Sequence, residues 1–167
     1  LGEATKTVSY VMSDRKGYRF TLTWGELRDT GDAEGLVTKT SDVRPSEAEI
    51  LAILPLFVGT ILQTPPVYSA IKVDGKRAYK LARQGKDIEL KPREVVISAF
   101  DILEINKPAV SFRIVCSKGT YIRSIARDFG NILGVGAYLT DLCRTRIGEF
   151  MLKDAKTIDE INPILQP

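Results

Sequence analysis

Ser111-Phe112-Arg113-Ile114-Val115-Cys116-Ser117-Lys118-Gly119-Thr120-Tyr121-Ile122-Arg123 contains two structural periods and the joint between them. Up to Cys116 the side chains alternate, with Phe112, Ile114 and Cys116 on one face and Arg113 and Val115 on the other, the pattern of a half-buried strand. Beyond the joint, Ile122, Ile125, Ala126, Phe129, Ile132 and Leu133 recur at spacings of three and four, which gathers them on one side of a helix. Between the two periods lies Lys118-Gly119-Thr120, where glycine permits a turn and Thr120 is predicted to cap the helix. Tyr121 and Arg123 then fall in the first helical turn, held by a rigid element yet facing an opening. Arg123 is not needed for packing and has Arg127 four residues on, so its chemistry calls for a negatively charged partner.

Working outward, residues 94–105 are rich in Val, Ile and Phe and predict a strand, turned back by Lys107-Pro108 into an antiparallel pair with 111–116. Residues 18–24 alternate as well, with Tyr18, Phe20, Leu22 and Trp24 on one face. Ahead of them, 3–12 predict a short helix with Ala4, Val8 and Val11 inward, and 25–35, carrying Glu26, Asp29, Asp32 and Glu34, predict a loop. Ser46 and Glu49 have capping-box spacing before a helix that Pro55 ends or kinks, with Ile50, Leu51, Ile53 and Leu54 as its buried face. Thr64-Pro65-Pro66 forces extended chain and Asp74-Gly75 suits a tight turn. A short basic helix follows over 76–84, stopped by Gly85. After 137–142, a strand over 143–150 and a last helix capped by Thr157 complete an α+β fold with a mixed, mainly antiparallel sheet flanked by helices.

At 167 residues the chain is read as one domain with an excursion. Hydrophobic residues at 44% and charged residues at 27% fit a water-soluble globular protein. The net charge is only +3, but residues 72–93 hold eight basic and three acidic side chains, a local +5. Such a segment, including Lys72, Lys76, Arg77 and Arg83, is a footprint for phosphate contact. The chain has no histidine and only two cysteines, Cys116 and Cys143, without metal-ligand spacing, which excludes His-based triads and zinc chemistry. Nothing demands an oxidising compartment, so a cytoplasmic location is expected. The apolar run 50–58 is too short to span a bilayer and contact with a membrane is not expected. Leu1 is not an initiator methionine, so the chain is expected to begin inside a longer protein.

Two motifs compete for a catalytic reading. Asp29-Thr30-Gly31 spells the aspartic-protease triplet, but Arg28 and Asp32 flank it, no second copy exists and no apolar strand leads in. Asp29, Asp32 and Glu34 lack a recognised metal-loop pattern, and a solvated turn is the simpler reading.

An ordered set of segments resembles the bacterial TruB-type tRNA pseudouridine synthases, which isomerise a uridine of the T-arm loop. These are Gly2-Glu3-Ala4-Thr5-Lys6, Tyr18-Arg19, Asp29-Thr30 with Asp32-Ala33-Glu34-Gly35, Pro66-Val67-Tyr68-Ser69-Ala70-Ile71-Lys72, Gly75-Lys76-Arg77-Ala78-Tyr79, Ala82-Arg83-Gln84-Gly85, and Cys116 to Arg123. The match covers nearly the whole chain. By resemblance, Tyr18 stacks on the flipped-out base, Tyr121 packs beneath it and shuttles a proton, Arg123 pairs with the catalytic aspartate, and Leu142 walls the uracil pocket. Tyr68, Lys72, Lys76, Arg77 and Arg83 join the substrate-binding set, and 72–93 becomes a basic insertion that grips the tRNA T-arm. The resemblance implies no metal or organic cofactor and no obligate protein partner.

One departure lies at the front. The family's nucleophilic aspartate belongs to a Gly-Leu-Asp-Pro-type loop just before the Gly-Glu-Ala-Thr-Lys segment, where this chain starts. Asp29 and Asp32 fall in a different loop and Asp128 on the helix after Arg123. The expectation is a pseudouridine synthase domain over 1–167 that is truncated at its N-terminus and inactive alone, with a sheet edge exposed for association. The alternative is a non-catalytic tRNA-binding or tRNA-folding module on the same scaffold.

Overall fold

The computed structural model describes residues 2–12 and 15–165. A 3-10 helix, Gly2–Thr7, runs into α1 (Val8–Met12). Val8 is exposed rather than inward; the side chains of Ala4 and Val11 lie outside the described residues. Next come β1 (Lys16–Trp24), β2 (Glu26–Arg28) and β3 (Val37–Thr40). The predicted loop over 25–35 is thus only half right, since Glu26–Arg28 pairs antiparallel with β3 and the polar turn is confined to the residues between them.

The helix α2 (Glu47–Ile53) opens on the predicted capping box: Ser46 Oγ accepts from the Glu49 N–H and the Glu49 carboxylate from the Ser46 N–H. Only Ile50 of its expected face is fully buried, and Leu51 points to solvent. A 3-10 turn at Pro55 leads to β4 (Gly59–Gln63). Two short strands, β5 (Lys72–Val73) and β6 (Lys76–Arg77), form a separate hairpin about Asp74-Gly75, followed by α3 (Ala78–Ala82). The chain then returns through β7 (Arg93–Asn106), β8 (Ala109–Cys116), α4 (Ile122–Ile132), β9 (Ala137–Ile147), β10 (Phe150–Met151) and α5 (Ile158–Leu165). Thr157 and Glu160 make a second capping box at α5.

The main sheet has the order β10-β9-β1-β8-β7-β4, and every strand pairing in it is antiparallel, so the mixed sheet expected from sequence is antiparallel among the described strands. Among the described strands β4 is an outer strand of the sheet, with Leu62 73% exposed. One face is covered by α4, whose Ile122, Ile125, Ala126 and Phe129 are buried; Ile132, expected with them, is exposed in the last turn. Phe129 sits at the centre of an aromatic cluster, 5.0 Å from Phe57 and 5.6 Å from both Trp24 and Phe112 between ring centroids. Such pairs add about 0.5–1.5 kcal/mol each beyond buried area. Gly130 lets α4 lie against the following turn, because a Cβ there would run into the backbone of Gly136 and Ala137.

Candidate active site

The joint between β8 and α4 is built by local hydrogen bonds. Ser117 exchanges bonds with Val96 of β7, its N–H donating to the Val96 carbonyl at 2.8 Å and its Oγ accepting from the Val96 N–H at 2.9 Å. Gly119 takes φ +83°, a conformation strained for other residues. Thr120 does not cap the helix as predicted: its hydroxyl donates back to the Ser117 carbonyl at 3.0 Å and closes the turn, while Tyr121 occupies the cap position without a side-chain cap bond. The Tyr121 peptide is instead held by Gln63, wholly buried at the end of β4, whose amide accepts from the Tyr121 N–H at 2.8 Å and donates to its carbonyl at 3.2 Å.

Arg123, in the first turn of the helix, is satisfied on three sides. Its Nη1 donates to the Thr30 carbonyl at 3.1 Å and to Asp32 Oδ2 at 3.3 Å, and its Nη2 donates to the Tyr68 carbonyl at 2.7 Å. A negatively charged partner thus comes from the polar turn between β2 and β3. That turn is rigid. Asp29 Oδ1 accepts from the N–H groups of Thr30 and Leu36, Asp32 Oδ1 from the Thr30 hydroxyl and the Glu34 N–H, and Arg28 donates to the carbonyls of Ala33 and Gly35. Both carboxylates are engaged in fixing backbone and Arg123, which removes the protease reading. Among the described residues no group of three or more His, Cys, Asp or Glu side chains is placed to hold a metal ion.

Arg123 and Leu142 line one open cleft of about 510 Å³, together with Asp32 and Glu34. Leu142 lies opposite Phe20 in register, hence on the core face of the sheet, but is 47% exposed to this opening. Tyr68 meets the site through its carbonyl on Arg123. Tyr18 is half-buried on β1, opposite Ile114 of β8 and Arg144 of β9, where a bulge after Gly17 shifts the register. Burial pushes its phenol up from its ordinary 10.0 and nearby Cys116 adds to this, while Arg144 pulls down through charge and a hydrogen bond. The Cys116 thiol is also raised, chiefly by burial.

Lys72, Lys76, Arg77 and Arg83 do not enter the cleft. Lys76 and Lys72 line two other openings, of about 330 and 470 Å³, on the excursion between β4 and β7. Arg77 bonds the Ala70 carbonyl and Arg83 lies 5.5 Å over the Tyr79 ring. Sequence reading missed Gln63 and Arg93, whose guanidinium lies 5.2 Å over the Tyr121 ring. Neither carries a local signal, because their contacts join residues far apart in the chain.

Comparisons with known proteins agree with this architecture. The TruB family pseudouridylate synthase (N terminal domain) matches residues 1–122. A tRNA pseudouridine synthase B of Bartonella tribocorum is 52% identical over 100% of this chain and 52% of its own length. One from Mesorhizobium japonicum is 50% identical over 96% of this chain and 50% of its own. The chain therefore spans about half the length of these curated relatives. Among solved structures, a chain of a Cbf5-Nop10-Gar1 complex superposes with TM-score 0.66 at 29% identity, covering 91% of this chain and 36% of that one. A chain of an H/ACA RNP bound to a substrate RNA containing 2'-deoxyuridine gives TM-score 0.61 at 26% identity, over 91% of this chain and 34% of that one. With the family matched over most of its residues and the pseudouridine synthase fold shared with these structures, the chain belongs to the TruB family of pseudouridylate synthases.

Proposed function

We propose that the full-length protein isomerises a uridine of the tRNA T-arm loop to pseudouridine, and that the cleft bounded by Arg123 and Leu142 receives the flipped-out base. The observation that supports this most is that one opening joins the fixed cation at the start of α4 to an apolar wall on β9. Tyr121 is anchored two residues before that cation. Isomerisation breaks the C1′–N1 bond, turns the base over, forms the C1′–C5 bond and removes the C5 proton, while N1 ends protonated. Such a site must grip a planar base on its faces and exclude water, tasks suited to Tyr18, Tyr121 and Leu142. Within the excursion, Lys72, Lys76, Arg77 and Arg83 grip the RNA backbone with their positive charge in the cytoplasm, where tRNA is the partner.

The nucleophile is an aspartate of a Gly-Leu-Asp-Pro-type loop, and no aspartate of residues 1–167 occupies that place. Purified residues 1–167 are therefore expected to bind a T-arm stem-loop in a salt-sensitive manner without forming pseudouridine, whereas the full-length protein forms it. Turnover by residues 1–167 at the full-length rate contradicts this assignment, and binding without turnover by the full-length protein favours a tRNA-folding role.

A further inference from the structure

Tyr121 is held by a cross-strand pair. Gln63 and Arg93 lie directly opposite one another where β4 meets β7, so their side chains leave the sheet on the same face. Gln63 has no exposed surface, an uncommon place for a primary amide, and both of its polar atoms serve one residue. Its oxygen accepts from the Tyr121 N–H at 2.8 Å and its nitrogen donates to the Tyr121 carbonyl at 3.2 Å. A side-chain amide thereby supplies the two bonds that a neighbouring strand would make, at a residue that belongs to neither strand nor helix.

Arg93 secures the other end. Its guanidinium carbon lies 5.2 Å from the Tyr121 ring centroid, within cation–π range, and Nη2 donates to the Gly119 carbonyl at 3.1 Å. Its Nε–H is buried without a partner, so hydrogen bonding alone does not account for the guanidinium's place. Gln63 bonds the peptide of Tyr121 and Arg93 lies over its ring, and the two share one register position.

We propose that the Gln63–Arg93 pair is a positioning device for Tyr121, setting the ring's height and tilt beneath the target uracil. The proposal rests on the reading of Tyr121 as the ring that packs beneath the base. Its rival is that Arg93, the last cation of the basic segment, contacts an RNA phosphate. Full-length protein and a T-arm stem-loop transcript separate the two, through single-turnover isomerisation at saturating enzyme and Kd measured across a salt series. Arg93→Met is expected to lower the saturating rate about 10- to 100-fold, the scale of a small misplacement of a reacting group, with Kd and its salt dependence unchanged. Arg93→Lys, which keeps a cation over the ring, restores part of the rate. On a Tyr121→Phe background, Arg93→Met causes a smaller further loss than it does alone, because both changes act on the same ring. Gln63→Met lowers the saturating rate if the variant folds, and the Arg93 series decides the matter if it does not. A wild-type saturating rate for Arg93→Met, or a loss confined to Kd with a salt slope shallower by about one, overturns the proposal. A wild-type protein that binds the transcript without isomerising it contradicts the functional reading instead, a result the variants cannot mimic.

Discussion

Arg123 is tied to two carbonyls and one carboxylate, so its direction is set by the fold before any RNA arrives. The need for a negative partner was legible in the sequence, because Arg123 lies in the first turn off the apolar face of an amphipathic helix, with Arg127 four residues on. Which carboxylate answers it was not legible, since Asp32 lies 91 residues away and no spacing rule spans that distance. The Asp32 carboxylate is about a quarter exposed, so the pair itself contributes only about 0–1 kcal/mol to stability. Asp32→Asn is accordingly expected to leave the urea midpoint nearly unchanged while lowering isomerisation by the full-length protein at least about tenfold, through loosened orientation of Arg123. Unchanged turnover in a folded variant would remove Asp32 from the site. Tyr18 and Cys116 make a second prediction at this scale. Burial raises both groups above their ordinary values of 10.0 and 9.0, so the folded chain keeps protons that the unfolded chain releases. Their stabilising effect is full below about pH 9 and is lost as pH rises through the raised values. Urea midpoints should fall from pH 9 upward, and Cys116→Ala should flatten the first part of that fall; a midpoint that rises with pH would contradict the sign.

Among the elements, those with a long period or a reciprocal cap were readable, namely β1, β7, β8, α2, α4 and α5. Of the short elements, the hairpin about Asp74-Gly75 and α3 were legible from their turn and stop signals, whereas β2 was not. Three residues in β2 carry no measurable alternation, and their pairing with β3 is set by the turn that Asp29 and Arg28 close. The start of α4 was misassigned to Thr120 because a threonine beside a helix is a generic cap signal, whereas a buried glutamine on another strand leaves no trace in the local sequence. Phe129 ties α4 to the sheet through stacked and tilted rings, and its position fixes where the helix, and with it Tyr121 and Arg123, begins. Phe129→Ala is expected to cost about 3–5 kcal/mol in chemical denaturation. A loss below about 1 kcal/mol would show that α4 is anchored elsewhere.

At the scale of the whole molecule, the strand order β10-β9-β1-β8-β7-β4 places β8 and β1 centrally, with the candidate site where β8 ends and α4 begins. The antiparallel β7–β8 pair was legible from its turn at Lys107-Pro108. The placement of β4 beside β7 was not, because the basic excursion separates them in sequence and hides their adjacency. That adjacency brings Gln63 and Arg93 to Tyr121, and the turn after β2 brings Asp32 to Arg123. Among the described residues no helix is long and apolar enough to cross a membrane. The central claim, that this cleft carries out uridine isomerisation with Tyr121 as a participant, meets its most direct test in the full-length protein and its Tyr121→Phe variant, assayed for pseudouridine in a T-arm transcript alongside Kd. Wild-type conversion is expected, with the variant keeping an unchanged Kd and turning over about 100-fold or more slowly, the scale of a lost proton-transfer group; wild-type turnover in the variant would contradict this role for Tyr121.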